Sequence, residues 1–538
     1  MRFIANGPSI PDALLTARDA GEVLFFCGAG VSQHKAKLSG FVALARAVVD
    51  ELGSAPNSPA RQLLGAPQKA KIKGKKANAE APPATPVPVD RVFHLLQREF
   101  ETKDVQRAVA QALIAAEDCD LSPHKHLLDL SRTRLGPPRL VTTNFDLLFE
   151  RAGSSQKIES HIPPNLPNPR DPSAFQGVVH LHGAVTSNHD GARKDNFVLS
   201  SADFGEAYLA NGWATRYIQA LLERFQIVFV GYSADDPPVQ YLLEAMNRVP
   251  SGVPRLYAFH KGSAQEAEAQ WLHRGVTPIP YDTYDNLWET MGAWAQRAQD
   301  VDAWHDGVIK LGHAGPAVMS PHERGMIAHL ARSAEGAQYL RNAGAAMPAE
   351  WLFVFDPNVR YARKWFRNTN EEAAEAPFDF LCLDDDPAPL SVDPKNWGAT
   401  RTPPGDAWDA FALTPEDQRM ISPDGLSRLV GIASLRVPRL APRLTYLSQW
   451  IAAVAHQPAA VWWASGINGV APSLRQHIES DLRFRSERFP IEIRRAWRLV
   501  FARTTTGSPD QLRYSIEGDA NREGWSLAYV ISASPRTW

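Results

Sequence analysis

The chain is poor in cysteine. Among 538 residues there are three, Cys27, Cys119 and Cys382, odd in number and far apart. They make no disulfide framework, and three thiols cannot supply a four-cysteine zinc site. Such usage suits a reducing cytoplasm. Long apolar runs are also missing. The longest, such as Ile227–Gly231, are strand-sized, well short of the ~18 residues a spanning helix needs. The opening residues, MRFIANGPSIPDALLTARDAGE, lack the basic and apolar regions of a secretory signal. Charge of one sign is missing too: the net charge is -2, so no overall basic field draws nucleic acid or an anionic membrane. A cytoplasmic protein with neither membrane nor direct nucleic-acid partners is expected. No internal repeat is visible.

What is present is ordinary globular composition, 44% hydrophobic and 22% charged, in a chain long enough for two to four domains. Val23–Val31, VLFFCGAGV, reads as a buried parallel strand entering a tight turn. A helix over Ser39–Leu52 follows. Residues 53–89 break the pattern: KAKIKGKK (Lys69–Lys76) is basic and Pro82–Pro88 is proline-rich. A flexible surface insertion is expected there. Nucleic-acid contact is the sharper alternative, weakened by the lack of interleaved aromatics.

Helices are then expected over Asp90–Ala116, His124–Leu130, Leu147–Ala152, Ser201–Arg224, Pro238–Arg248, Ala264–Arg274 and Tyr284–Ala298. Strands are expected at Arg139–Thr143, Val178–Leu181, Phe197–Ser200, Ile227–Val230, Leu256–Phe259 and Val276–Pro280. This alternation predicts an α/β fold over 1–300, a Rossmann-like parallel sheet with helices on both faces. Ligands of such sheets bind beyond the carboxyl ends of the strands. From Val301 the alternation stops, and a mixed, mainly helical region of unassigned fold is expected over 301–538. Gln338–Ala345 and Leu444–Ala455 look helical, and Trp462, Trp463, Trp497 and Trp525 suggest a core. Proline-rich residues 386–404 divide it. The strand-like Trp525–Ile531 stands close to the last residue, which leaves room for a longer architecture.

Four segments at predicted strand ends carry polar chemistry. Gly28-Ala29-Gly30-Val31-Ser32 offers glycines and amides to a pyrophosphate, or is simply a tight turn. Thr142-Thr143-Asn144-Phe145-Asp146 has more polar residues than a helix cap needs, although Asn144 or Asp146 could be one. In Val178–Gly183, VVHLHG, His180 suits a satisfied core histidine, whereas His182 stands at the strand end before a permissive glycine. Gly231-Tyr232-Ser233-Ala234-Asp235-Asp236 offers a second close backbone approach, and Asp235 or Asp236 could cap the next helix.

Taken in order, GAGVS, TTNFD, LHG and GYS resemble the sirtuin family over roughly residues 20–300, and most closely its zinc-free prokaryotic members in antiphage defence proteins. The resemblance implies that Gly28, Ala29, Gly30 and Ser32 form a phosphate-binding turn. It implies that Asn144 and Asp146 contact the nicotinamide ribose, a water and the carboxamide. His182 matches the catalytic histidine, and Gly231 and Ser233 match the segment that holds the adenosine side. Thr143 stands where the family has Gln, and Tyr232 where it has Thr. HKAKLSGF replaces the family's cofactor-loop motif, and Ala184–Ser201 lacks the cysteines of the zinc ribbon.

The resemblance therefore implies NAD as substrate, no metal, and hydrolysis to nicotinamide and ADP-ribose. Asn144 would orient ribose and water. His182, at an ordinary histidine pKa of about 6.5, would take the proton, and Asp146 would orient the nicotinamide. By the same resemblance the trigger is a phage-derived protein or defence-system activator. Residues 301–538 would then sense, inhibit or oligomerise, and a homo-oligomer is expected. A protein deacylase or ADP-ribosyltransferase, and a non-catalytic NAD- or ADP-ribose-sensing module, remain open alternatives.

Overall fold

The computed structural model describes residues 1–65, 88–132, 136–155, 158–171, 175–195, 197–233, 243, 256–360, 381–384, 409–412, 414, 416–417 and 441–465. Two compact units emerge, one of Asn6–Gln299 and one of Met1–Ala5 with Asp300–Trp538.

The first unit is built on seven parallel strands: β1 (Val23–Cys27), β2 (Arg139–Thr142), β3 (Ser160–His161), β4 (Gly177–His180), β5 (Gln226–Val230), β6 (Leu256–Lys261) and β7 (Thr277–Tyr281). Their order is β3-β4-β2-β1-β5-β6-β7. β1, β2 and β4 are buried along their whole length, which is why β1 is an unbroken apolar run and the middle residues of β2 and β4 are apolar on both faces rather than alternating. Leu24 and Phe26 join Ile227, Phe229 and helix Trp213–Leu222 in one cluster. Phe25, between them in sequence, meets Trp294 of helix Tyr284–Gln299 edge-on at 5.7 Å. Alternate side chains of one strand thus feed two helical layers, as expected for a Rossmann-like sheet. Pro278 and Pro280 sit on β7, an edge strand, where a missing amide costs little.

A further helical group covers the carboxyl ends of β2 and β4. Helices Phe41–Glu51, Pro59–Leu64, Val89–Glu99 and Thr102–Ala112 share a core with Phe145, Val185, Phe197 and Leu199. Part of the expected flexible insertion therefore belongs to this core: Ser58 caps helix Pro59–Leu64, whose Ala60 and Leu64 are buried. The basic Lys69–Lys76 lies outside the described residues, as does most of the proline-rich stretch.

Other boundaries shift for local reasons. Asp90–Ala116 is two helices, parted by extended backbone at Phe100 and Glu101. Phe197–Ser200 is a buried loop and not a strand. The Leu199 and Ser200 amides donate to Asp203 Oδ2, and Ser200 caps the next helix, so a local cap takes the groups a ladder would use. Ser201–Arg224 divides into helix Ser201–Phe204, a π-helical turn Gly205–Ala210 and helix Trp213–Leu222, with Gly212 at φ +59° before the last. The helix expected over Pro238–Arg248 lies outside the described residues except for Leu243, which is buried.

The described part of the second unit is helical: Val301–Gly312, Pro321–Ala331, Ala334–Ala343, Trp351–Phe355, Pro442–Val454 and Pro458–Ser465. Trp351, Trp450 and Trp463 are fully buried, and Trp463 Nε1 donates to Asp356 Oδ2 at 3.1 Å. Arg443 Nε donates to Asp417 Oδ2 at 2.9 Å, a buried pair that also ties in the Ala331 carbonyl. Trp497 and Trp525–Ile531 lie outside the described residues. No described helix is long and apolar enough to cross a membrane.

Candidate active site

Four strands end in one row. Cys27 is in register with Thr142 and with Val230, and Thr142 with His180. The segments after β1, β2, β4 and β5 are therefore neighbours by construction. The chain runs from β1 to β2 on one side, then crosses back to β5 on the other. The row thus lies at the switch point where open parallel sheets bind ligands.

The glycines of the first turn serve the protein itself. A Cβ on Gly28 would stand 2.8 Å from the Gly231 carbonyl and the Tyr232 ring, and one on Gly30 would stand 2.8 Å from Gly231 Cα. Gly231 has φ +77°, and its own Cβ would be 2.6 Å from the Val31 nitrogen. These glycines let two loops touch. The amides are used as well: Gly28 N donates to Val230 O (2.8 Å) and Gly30 N to Gly231 O (2.9 Å). The amides of Val31 and Ser32 donate to Gly28 O and Ala29 O. Their expected offer to a pyrophosphate is already taken up inside the fold.

Ser32 is the hub of a buried polar group. Its Oγ donates to Asp146 Oδ2 at 3.0 Å and accepts from Asn144 Nδ2 at 3.3 Å; His124 Nε2 lies 3.1 Å away. Asn144 Nδ2 also donates to Gly28 O at 3.2 Å, which fixes the orientation of the amide and leaves Oδ1 as its outward end. Burial pushes the Asp146 carboxyl up, opposed by bonds from the Leu148 amide and Ser32. Asp146 Oδ1 accepts that amide at 3.1 Å, a local turn ahead of helix Leu148–Ala152, whose N-cap is Leu147 and takes no side-chain bond. Burial lowers His124 to about 3. The neutral ring donates through Nε2, because the single Ser32 proton goes to Asp146.

His180 is fully buried, with Nε2 2.8 Å from Glu150 Oε1 and Nδ1 3.0 Å from the Asn144 carbonyl. Both partners accept, so both nitrogens carry protons. Burial opposes this charge, but Glu150 outweighs it and the His180 pKa is raised. Burial likewise works against the Glu150 carboxylate, yet His180 holds it down to about 2.

His182 is nearly as buried, without a counter-charge. Its Nε2 lies 2.8 Å from the Tyr208 hydroxyl, and its ring meets Phe204 edge-on at 5.2 Å. Burial lowers it to about 3. This corrects the expectation of an ordinary histidine pKa: the ring is neutral throughout the physiological range. Cys27, at the end of β1, stays protonated because burial raises its thiol pKa.

One hollow, partly open to solvent, gathers several of these groups. Ala29, Ser32, Thr143, Asn144, Asp146 and His182 line it, together with Tyr232. Leu38, Phe41, Leu44 and Leu113 of the helical group supply an apolar wall. Thr143 Oγ1 donates to the Tyr232 hydroxyl (2.8 Å), which donates to Cys27 O (3.1 Å), so the two departures from the family pattern bond to each other. Gly28, Gly30, Gly231 and Ser233 do not line the hollow; Ser233 is exposed, and Asp235 and Asp236 lie outside the described residues. Sequence reasoning missed His124, Glu150, Tyr208 and the anchoring part of His180. Among the described residues, metal-ligand side chains gather in the second unit, where Asp302, His305 and Glu335 bring ligand atoms within 4.8 Å of one another.

Fold and site together define a Rossmann-like α/β domain with a polar cavity at its switch point. Residues 138–279 match the family described as SIR2-like domain, which supports the sirtuin-like resemblance; such domains are generally NAD-dependent enzymes. The match contains Asn144, Asp146, His182 and Tyr208. A protein of Sinorhizobium fredii (strain NBRC 101917 / NGR234), described as uncharacterized protein y4cA, is 31% identical over 332 residues. That alignment covers 59% of this chain and 26% of the relative, so the chain spans about a quarter of its relative's length.

Proposed function

We propose that the Asn6–Gln299 unit hydrolyses NAD to nicotinamide and ADP-ribose. One observation carries the reading: Asn144, Asp146 and His182, from two separate strand ends, converge on the hollow that Ala29 and Ser32 also line, in a SIR2-like segment. The bond broken joins the ribose C1′ to the cationic nicotinamide nitrogen. Its electron pair leaves with the nicotinamide, which departs neutral and needs no acid. The ribose passes through an oxocarbenium-like state, as in glycoside cleavage. Water adds to C1′, and its proton passes to a neutral imidazole. Asn144 Oδ1 orients the water or a ribose hydroxyl, and His182 receives the proton. Asp146 borders the nicotinamide, and the apolar wall excludes bulk water.

The biological setting we infer is antiphage defence by NAD depletion. Residues 301–538 would restrain or assemble the enzyme until a phage-derived activator appears, with a homo-oligomer as the active form. The test is direct. Purified full-length protein is incubated with NAD, with and without candidate activators, while nicotinamide, ADP-ribose and cyclic products are resolved. Nicotinamide and ADP-ribose in equal amounts are expected. Full activity in a dilute, unactivated monomer would overturn the restraint, and no turnover under any condition would overturn the hydrolase.

The burial of His182 favours a second reading, a module that binds NAD or ADP-ribose without turnover. Tight binding with NAD recovered intact under activating conditions would establish it.

A further inference from the structure

We propose that Tyr208 is a positioning residue that sets the proton on His182, so that Nδ1 is the atom that accepts a proton in the cavity. The choice between the two hydrogen placements rests on the hydrolase reading.

A neutral imidazole carries one N–H. The His182 Nε2–Tyr208 hydroxyl contact of 2.8 Å can hold its hydrogen in either sense. If the tyrosine donates to Nε2, the ring proton sits on Nδ1. The one nitrogen left to meet a ligand then has no lone pair, and His182 is no base. If Nε2 donates to the tyrosine oxygen, Nδ1 keeps its lone pair. Only this second arrangement makes a proton acceptor of a histidine that lines the cavity. It also explains how a buried ring could bear charge briefly. Once Nδ1 takes a proton, the imidazolium keeps an oxygen acceptor on Nε2.

The backbone delivers Tyr208 to that spot by an unusual route. The Gly205–Ala210 turn is π-helical, a form concentrated at functional sites. One end is pinned by the Ser200–Asp203 capping box. At the other, the Thr215 hydroxyl donates to the Tyr208 carbonyl at 2.8 Å. The wider turn shifts the following side chains around the axis relative to an α-helix. The next residue, Leu209, is 68% exposed, so the turn buries the tyrosine and not its neighbour.

The test is Tyr208→Phe in the full chain, which deletes the hydroxyl and keeps the ring. With NAD as substrate, kcat should fall by about 10-fold or more while KM stays within about 3-fold, a loss on the scale of general-base impairment. Tyr217→Phe, which deletes another buried tyrosine hydroxyl of the same core but does not line the hollow, should stay near wild type. An equal loss in Tyr217→Phe, or an unchanged kcat in Tyr208→Phe, would overturn the proposal. A second readout needs no turnover. In spectra of ring-¹⁵N-labelled protein, with the His182 signals assigned by their loss in His182→Gln, wild type should show Nε2 protonated. Tyr208→Phe should shift the ring toward a mixture of tautomers. Nδ1–H in the wild type would overturn the assignment even if NAD is hydrolysed. Nε2–H in a protein that never hydrolyses NAD would keep it and sink the hydrolase reading instead.

Discussion

His180 and Glu150 form an ion pair at 2.8 Å, the imidazole fully buried and the carboxylate partly so, and the same imidazole holds the Asn144 carbonyl at 3.0 Å through its other nitrogen. Removing the carboxylate would leave a buried imidazole without its counter-charge, which is destabilising. The pair fixes the backbone of the residue proposed to orient water. Glu150→Gln keeps the shape and removes the charge. It should destabilise the protein by about 1–3 kcal/mol, less than the loss of one partner of a fully buried pair because water reaches the carboxylate, and should slow NAD turnover even where folding is complete. Urea unfolding and a rate measured below the melting range check the two effects separately; wild-type values in both would remove the anchoring role.

The pair also sets a pH dependence. The folded pKa of His180 is raised, so its contribution is fully present below the unfolded histidine value and is lost as pH rises through the folded one. His124 and His182 do the opposite. Burial depresses both to about 3, while in the unfolded chain they titrate near 6.5. Below about 6.5 the unfolded state gains protons that the folded state refuses, so stability falls as pH drops from there toward 3. His124→Gln removes one of these groups. Its stability, measured by urea unfolding at pH 7.5 and pH 5, should fall less on acidification than that of the wild type. Parallel losses would show that His124 is not held neutral.

Much of this site was legible because each strand is an apolar run that ends abruptly in glycine or polar residues, and a parallel sheet places such ends side by side. Asn144, Asp146 and His182 were found that way. The rest was hidden for identifiable reasons. His124 meets Ser32 from 92 positions away, and no periodicity marks such a contact. Tyr208 reads as one more residue of a long helix, since a π-turn leaves the apolar spacing nearly intact. β3 has only two residues, too few to carry a pattern. The pKa of His182 follows from packing by Phe204 and Tyr208, both distant in sequence. Gly28 and Gly30, expected to line a phosphate-binding turn, also have a packing reason of their own in the close contact with Gly231, which no local pattern foretells.

Asn144 and His182 should separate folding from chemistry. Asn144→Ala and His182→Ala are each expected to lower turnover of NAD by at least ~100-fold, the scale for losing a general base or its water-orienting partner. Nicotinamide release measured beside a thermal melt decides the matter. Near-wild-type hydrolysis by both variants would show that the chemistry lies elsewhere, whatever the cavity contains.

Gly231 joins the two halves of the site mechanically. At φ +77° an L side chain is strained, and its Cβ would meet backbone on every side: Val31 N at 2.6 Å, and Gly28 O and Gly30 C at 3.0 Å. None of these atoms belongs to a flexible side chain, so the turn itself must move. Gly231→Ala should therefore cost about 2 kcal/mol or more, at the level of a strained backbone position. It should also shift Ser32 away from Asp146 and Asn144, lowering turnover beyond what the lost stability explains. Gly191→Ala is the matched control, since nothing lies within 4 Å of its added carbon and its φ is not positive. That variant should melt and react like the wild type. Equal behaviour of the two alanine variants in urea unfolding would mean that the contact between the 28–32 turn and the 231 loop does not hold the cavity in shape.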